Sequence, residues 1–319
     1  MSNVLYKTNQ EVPQDMLLGS LLFINLTDMK IPANDLINVF DKNNIPKKYV
    51  KDISQADAFR RASSSIKNRI LYVNNNNGGN DKVRVEVDEI KSDNEGIKRI
   101  IGVKKVDDVN EDISYVPVGE VIFNRSNGGC VANPLVAQGD ADYQTIKSVC
   151  DEIEFKYQEW SVYHNKDTVR NIINRIISDT HPVNLMPTGL CKFIPNKHTD
   201  LLYNLKEALH EMSLYSKNSC ENIIEIIPII DTEEQRDLIE KNFTAEITDD
   251  LFNFTQELKN VLQNKITLST RTANAYIEKF NTLKGKAKEY ESLLGVYIES
   301  IYLQITEALE LIDSNKDKD

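Results

Sequence analysis

The residues best suited to proton transfer in this sequence are its four histidines. His181 follows Asp179 and Thr180 at a predicted helix end, and His198 lies close to Asp200 at a predicted helix start. Histidine acts as a general acid or base near neutral pH, but only beside a second group, which the sequence does not place. Because histidines at helix ends are more often caps or surface residues, we expect no catalytic residue and interpret the protein as non-enzymatic.

Metal and cofactor chemistry has little support in the motifs. The sequence contains no HExxH, no GxxxxGKS/T loop, no GxGxxG after a strand and no GxSxG elbow. The cysteines form no CxxC pair, and none has a histidine at zinc-finger spacing. We therefore predict no metal and no cofactor, and we interpret the cysteines as buried free thiols. They are Cys130, Cys150, Cys191 and Cys220.

The charge of the chain is unevenly distributed. The total is −11 with a pI near 5.0, yet residues 44–105 hold nine lysines and five arginines against five aspartates and three glutamates, a net +6. The rest of the chain therefore carries −17. Basic side chains interleaved with Tyr49 and Phe59 are typical of phosphate binding. The candidate nucleic-acid-binding residues are Lys47, Lys48, Lys51, Arg60, Arg61, Lys67 and Arg69.

Two other interpretations of this charge stay open. The basic residues could form a solvated helix face, or pair with the chain's own acidic residues. The acidic helices could present carboxylates to a basic groove of a partner, as a DNA mimic does, or could serve solubility alone.

The sequence pattern of the first third of the chain predicts helices followed by a sheet. Residues 12–70 are interpreted as helical, with one helix starting at Ile31-Pro32 and another at Ser54. From residue 69 to 134 the apolar residues alternate, as Val83, Val85 and Val87 do, which predicts a four- or five-stranded antiparallel meander.

A second group of helices and strands is predicted after the meander. Residues 139–180 have helical periodicity. The segment 187–195, a helix from about His198 and the apolar strand 223–230 predict a ferredoxin-like βαβ unit, with its last strand central in a sheet. The segment 184–195 could instead be the wing of a winged helix.

The C-terminal part, residues 231–313, predicts helices with an apolar seam at heptad spacing. One interpretation is an intramolecular hairpin, in which the 249–264 helix folds back on the later one; the other is self-association into a homo-oligomer. The seam residues are Tyr276, Phe280, Leu283, Ala287, Tyr290, Leu294, Tyr297 and Ile301.

These patterns together predict an α+β protein with three parts. Residues 1–68 are an N-terminal helical segment, residues 69–230 an α+β body with the meander, two helices and the βαβ unit, and residues 231–319 a C-terminal helical bundle. The N-terminus is polar and no apolar stretch reaches bilayer length, so we expect a cytoplasmic protein, in the host cytosol if phage-encoded, with no membrane partner.

Three segments resemble a family of uncharacterised proteins from bacteria, archaea, their plasmids and phages. They are Asp57–Ser63, Pro187–Pro195 and Ile227–Ile239. The resemblance covers most of the chain and implies a mobile-element setting, but it brings no activity with it.

The function we expect is therefore binding. We interpret the protein as a non-enzymatic phage or mobile-element protein that self-assembles and binds a host or phage protein, for example to inhibit a host defence protein. An alternative is nucleic-acid binding through residues 44–105 in phage or plasmid DNA metabolism. A third is a hydrolase with a non-standard site.

Overall fold

A computed structural model shows a chain of mixed helix and sheet. It describes residues 13, 16–74, 79–105, 115–186, 189, 191–217, 221–264, 269–297, 301 and 303–307. The strands are β1 (Leu17–Asn25), β2 (Lys30–Pro32), β3 (Ile70–Asn74), β4 (Asn80–Ser92), β5 (Gly96–Lys105), β6 (Tyr115–Asn124), β7 (Gly129–Pro134), β8 (Tyr163–Asn165), β9 (Val183–Asn184), β10 (Lys192–Pro195) and β11 (Ile223–Ile230). The helices are α1 (Ala33–Lys42), α2 (Gln55–Ser64), α3 (Tyr143–Val162), α4 (Lys166–Ser178), α5 (Thr199–Met212), α6 (Glu233–Gln263) and α7 (Thr270–Leu294).

The chain forms two compact units that interleave along the sequence. The meander unit consists of residues 30–38 and 50–165; the hairpin unit consists of residues 1–29, 39–49 and 166–319. These bounds differ from the predicted division at residues 68 and 230, because the hairpin unit takes residues from both ends of the chain.

The meander unit contains a five-stranded antiparallel sheet, β3 to β7, in which each strand pairs with the next along the chain. This confirms the predicted meander. Apolar and polar residues alternate along β4, so one face of the sheet is buried. Val83, Val85 and Val87 point into the core, where α2 and α3 cover that face. In the same core, the Phe59 ring of α2 stacks on Phe123 with 5.4 Å between ring centroids.

The hairpin unit has a four-stranded sheet in the order β11–β1–β10–β9. The helical prediction for residues 12–70 is wrong at β1, which is a strand paired antiparallel with β10 and β11. Leu18 and Leu22 are buried, and Leu21 is partly buried, so both faces of this central strand are covered from Leu17 to Leu22. An apolar run covered on both faces loses its alternation, and periodicity cannot then separate strand from helix.

The position predicted for β11 is also wrong. Its run of isoleucines suggested a central strand, but in the described part of the sheet β11 pairs only with β1 and lies at the edge. β10 and β11 both pair antiparallel with β1, so the connection through α5 passes over a strand that lies between them. β10 lies inside the sheet, between β1 and β9, and not on a wing.

Helices α6 and α7 pack against each other over one face of this sheet. Phe243 of α6 stacks on Tyr290 of α7 with ring centroids 4.6 Å apart, and Phe254 stacks on Phe280 at 6.3 Å. Ser269 caps the start of α7, and its side chain accepts a hydrogen bond from the backbone N–H of Thr272. Gly295, at φ +68°, ends the helix in the left-handed conformation.

No helix in the described part of the chain is long and apolar enough to cross a bilayer.

Candidate functional site

The structure brings His181 and His198, the two histidines considered for acid–base chemistry, to the same carboxylate. Glu289 of α7 accepts from His181 Nδ1 at 2.6 Å and from His198 Nε2 at 3.1 Å. Lys197 Nζ lies 2.8 Å from the same carboxylate. We call these four residues the Glu289 cluster; it supplies the second group that the sequence could not place.

Burial and hydrogen bonding shift the pKa of Glu289 in opposite directions. Its side chain is only 6% exposed, and this burial acts to raise its pKa. The hydrogen bonds from His181, His198 and Lys197 outweigh burial and hold the pKa of Glu289 well below its usual range. The carboxylate is therefore ionised across the physiological pH range.

Local backbone geometry positions the two histidines. His181 follows α4 with φ +49°, a left-handed conformation that non-glycine residues rarely adopt, and its carbonyl accepts a hydrogen bond from the Tyr290 hydroxyl at 2.9 Å. A Cβ built on Gly285 would lie 3.4 Å from the His181 ring, so a larger side chain there would press on the ring. His198 ends a short 3₁₀ turn immediately before α5.

A second carboxylate fixes the chain just after His181. Glu246 of α6 accepts from the backbone and side-chain nitrogens of Asn184, at 2.8 and 2.9 Å. It also forms an ion pair with Lys286, which is 7% exposed and donates to the Pro182 carbonyl at 2.7 Å. Residues 181–184 are thus held to both helices by charged groups.

These contacts define what the Glu289 cluster can do chemically. Glu289 engages one nitrogen of each imidazole, which leaves His181 Nε2 and His198 Nδ1 as the remaining ring nitrogens. Among the described residues, no group of three or more His, Cys, Asp or Glu side chains is arranged to hold a metal ion. The arrangement accounts for a fixed, partly buried ion-pair network.

A shallow surface depression lies elsewhere, along α6, and shares no residue with the Glu289 cluster. Its lining comes from a single helix, so it provides no second wall for a small molecule. The lining residues are Asp237, Glu240, Lys241, Thr244, Ala245, Thr248 and Asp249.

The candidate nucleic-acid-binding residues are mostly engaged by other side chains. Arg69 forms a bidentate pair with Glu152 at 2.5 and 2.7 Å, and it is the main reason that the pKa of Glu152 falls to about 2. Lys51 is exposed. The other contacts are Lys47 with Asp41 at 3.2 Å, Lys48 with Asp179 at 2.9 Å, Arg60 with Glu89 at 3.3 Å, Lys67 with Glu86 at 3.8 Å, and Arg61 over the Trp160 ring at 5.0 Å.

The heptad seam lies mostly in the interior of the hairpin unit. Tyr276 is partly buried, and Tyr297, beyond the end of α7, is 66% exposed. The buried members are Phe280, Leu283, Ala287, Tyr290, Leu294 and Ile301. These residues share one core with α6, so little of the seam is left for another chain.

Apolar side chains are instead exposed at the edge of the hairpin unit's sheet. Phe23 is 37% exposed, Ile223 42% and Ile227 48%. The register pairs Phe23 with Glu225 and Asn25 with Ile223, which places these three apolar side chains on one face. We call them, together with the outer backbone edge of β11, the β11 surface. A long apolar edge strand of this kind is a template for pairing with another chain.

A model of the Family of unknown function (DUF6744) matches residues 17–314. The chain belongs to this family. The match confirms the resemblance to an uncharacterised family. No curated protein and no solved structure matches the chain.

The cysteines of this DUF6744 member agree with their interpretation as thiols where they are described. Cys150 and Cys191 are free and buried, and Cys130 is free and partly buried. Burial raises the pKa of Cys130 and of Cys150 to about 12, so neither is a reactive thiolate near neutral pH. Cys220 lies outside the described residues.

Sequence reasoning missed Glu289 and Glu246. Both lie inside long helices among other charged residues, as in the run from Lys284 to Glu291, where a buried carboxylate looks like an exposed one. The only local signal was Gly285, since a glycine inside a helix often marks a close approach.

Proposed function

We propose that this protein is non-enzymatic, self-assembles, and acts by binding a macromolecule through the β11 surface. The observation that carries the proposal is the exposure of Phe23, Ile223 and Ile227 on one face, beside the unpaired edge of β11 in the described sheet. Adjoining apolar side chains on an otherwise polar surface mark a contact site for another chain.

The Glu289 cluster supports the non-enzymatic part of the proposal. Catalysis requires a reacting atom within hydrogen-bond reach of the acid or base, in a cavity that excludes water. In this cluster one nitrogen of each imidazole bonds to Glu289, and the α6 depression includes neither His181 nor His198.

The test compares two double variants of the full chain. Phe23→Glu with Ile223→Glu charges the β11 surface, whereas Tyr203→Glu with Leu214→Glu charges two other exposed apolar positions of the same unit, 46% and 88% exposed. We expect the first variant to lose association, either with itself in light scattering or with a partner from host lysate. The control should keep association at the wild-type level.

Equal association by the wild type and both variants would contradict binding at this surface. A wild-type chain that stays monomeric and enriches no macromolecule would contradict the proposal as a whole.

Inhibition of a host defence protein by a phage or mobile-element product is one form of this proposal. Its support is the three-segment resemblance described above. The same capture experiment tests it, since the partner lost from the Phe23→Glu, Ile223→Glu variant would then be a host defence protein.

Nucleic-acid binding through residues 44–105 is the alternative proposal. Its support is the +6 charge of that segment. The ion pairs of Arg60 and Arg69 weigh against it, because a paired cation must break its contact to reach a phosphate.

A further inference from the structure

One face of the meander sheet presents basic and aromatic side chains together. Val83 and Val85 of β4 point into the core, so Lys82 and Arg84, which alternate with them, point out of the opposite face. Residues paired across neighbouring antiparallel strands share a face, so the register places four further side chains there. We call this set the meander face. Its two rows are Ile70, Arg84, Lys104 and Tyr115 across β3 to β6, and Tyr72 and Lys82 across β3 and β4.

Three cations of the meander face lack a balancing carboxylate. Arg84 lies directly opposite Lys104, and like charges in that position destabilise a sheet. Among the described residues neither side chain forms an ion pair or a hydrogen bond, and the same is true of Lys82. Other cations of this unit are paired: Arg69 lies 2.5 Å from a carboxylate and Lys98 lies 2.7 Å from one. Two unpaired cations side by side do not stabilise the fold, so their position indicates an anionic ligand.

A tyrosine lies on either side of these cations. Tyr72 is 64% exposed and lies opposite Lys82, and Tyr115 lies opposite Lys104. A Cβ built on Gly102 would lie 2.2 Å from two atoms of the Tyr115 ring, so this ring crosses the β5 backbone and fills the space of a side chain there. Aromatic rings on an open sheet are platforms on which unpaired bases stack.

We propose that the meander face binds single-stranded nucleic acid, with phosphates on Lys82, Arg84 and Lys104 and bases stacked on Tyr72 and Tyr115. Phosphates neutralise the cations and bases cover the rings, so one ligand accounts for both features. A duplex would contact only the cations, because its bases already stack on one another, and an acidic peptide offers carboxylates but no bases. The site goes beyond the proposed function, since it shares no residue with the β11 surface or with the seven basic candidates predicted from the sequence.

Carboxylates on the same side of the sheet limit where the ligand lies. Glu86 and Asp88 follow Arg84 at alternate positions of β4, so they point the same way. Their negative charge repels phosphates from that part of the sheet. The phosphates are therefore confined to the part of the meander face nearest the β3–β4 turn, where Tyr72 and Lys82 lie.

The test measures binding of the full chain to a labelled oligothymidylate of about 12 nucleotides by fluorescence anisotropy. At about 0.1 M salt, Arg84→Ala with Lys104→Ala should raise the dissociation constant at least about tenfold. It should also reduce the slope of log affinity against log salt by about 1.4, because each phosphate contact on a single strand contributes about 0.7. The control, Arg60→Ala with Arg61→Ala, removes the same charge from α2 and should change the dissociation constant by less than about threefold.

The folding of the variants is checked by urea unfolding. Arg84→Ala with Lys104→Ala should unfold at the wild-type urea concentration or above it, because the repulsion between the two cations is gone. A loss of affinity in this variant then reports on the ligand contact and not on misfolding.

The aromatic part of the site has its own pair of substitutions. Tyr72→Ala should weaken binding about fivefold or more without changing the salt slope, whereas Tyr72→Phe keeps the ring and should bind as the wild type does. Because Tyr72 is mostly exposed, both variants should unfold at the wild-type urea concentration.

Three results would overturn the inference. The first is a wild-type chain that does not bind the oligothymidylate. The second is an equal loss of affinity in the two double variants, which would exclude the meander face as the site. The third is equal binding of a duplex of the same length, or of an oligoglutamate peptide of the same charge, because the tyrosines would then take no part. All three leave the association test of the β11 surface untouched, since that test depends on Phe23 and Ile223.

Discussion

The Glu289 carboxylate brings three hydrogen-bonding side chains together at one point of the hairpin unit. His181, His198 and Lys197 all bond to it, although it is nearly inaccessible to water. Removing a charged partner from a buried network leaves the others desolvated and unpaired, which costs more than the original contact was worth. The contribution of Glu289 can therefore be measured as a change in the free energy of unfolding, and no activity assay is needed.

Glu289→Gln should lower the free energy of unfolding by about 2–3 kcal/mol, because the amide keeps the shape but loses the charge. Urea unfolding at pH 7 measures it. Glu278→Gln is the matched control, since Glu278 is an exposed glutamate on the same helix. It should change stability by less than about 0.5 kcal/mol. Equal effects of the two substitutions would show that the Glu289 cluster adds no stability.

The Glu289 pKa also predicts an acid-dependent loss of stability. Its pKa is lower in the folded chain than the ordinary value of about 4.3, so its stabilisation is present above that value and is lost as the pH falls towards the folded pKa. The stability difference between wild type and Glu289→Gln should therefore be smaller at pH 3 than at pH 5. An unchanged difference would mean that the Glu289 pKa is not depressed.

The α6–α7 hairpin derives its stability from the buried residues of the heptad seam. Phe280 stacks on Phe254 and is 3% exposed, whereas Tyr297, which continues the same spacing, is 66% exposed. Gly295 separates the two by ending the helix. The heptad pattern is therefore interrupted at Tyr297, and the buried seam resumes at Ile301.

Phe280→Ala should destabilise the chain by about 3–5 kcal/mol through a lost ring contact and a cavity. Tyr297→Ala, at the other apolar position of the heptad, should cost less than about 0.5 kcal/mol because little surface is buried there. Thermal unfolding of both variants checks this. A large loss from Tyr297→Ala would place it in a packed interface and restore self-association through the seam.

The sequence predicted elements wherever one face is buried and the other is solvated. Val83, Val85 and Val87 alternate because one side of β4 meets water, and the helix periodicity of α3, α4 and α5 has the same cause. Prediction failed for β1 and β11. The part of β1 from Leu17 to Leu22 lost its alternation through burial on both faces, and the position of β11 depends on strands far away in the chain. The Glu289 cluster depends on contacts between residues that are about 90–110 positions apart in the sequence, and no local sequence pattern records such contacts.

Several basic residues of the segment 44–105 are paired with carboxylates. Within the meander unit, Arg60 pairs with Glu89, Lys67 with Glu86 and Arg69 with Glu152. The net +6 of residues 44–105 therefore overstates the free positive charge, since Glu152 lies outside that segment and also neutralises part of it.

Because these basic side chains are already paired with carboxylates, we expect the chain to bind duplex DNA only weakly, through salt-dependent contacts. Arg60→Ala with Arg61→Ala should change the affinity for duplex DNA by less than about threefold at physiological salt, because Arg60 is paired with Glu89 and Arg61 lies over the Trp160 ring. Fluorescence anisotropy across a salt series measures it. A steep salt dependence that the double substitution flattens would instead support the nucleic-acid alternative.

The pairing of β1 with β10 and β11 has a consequence for synthesis. β1 leaves the ribosome first, while its two neighbours follow about 170 residues or more later. At about 5–20 residues per second, its apolar run waits roughly 10–35 s without a partner strand. Nascent chains of this protein should therefore be bound by a holding chaperone at Leu17–Asn25, and released only after residue 230 has been translated.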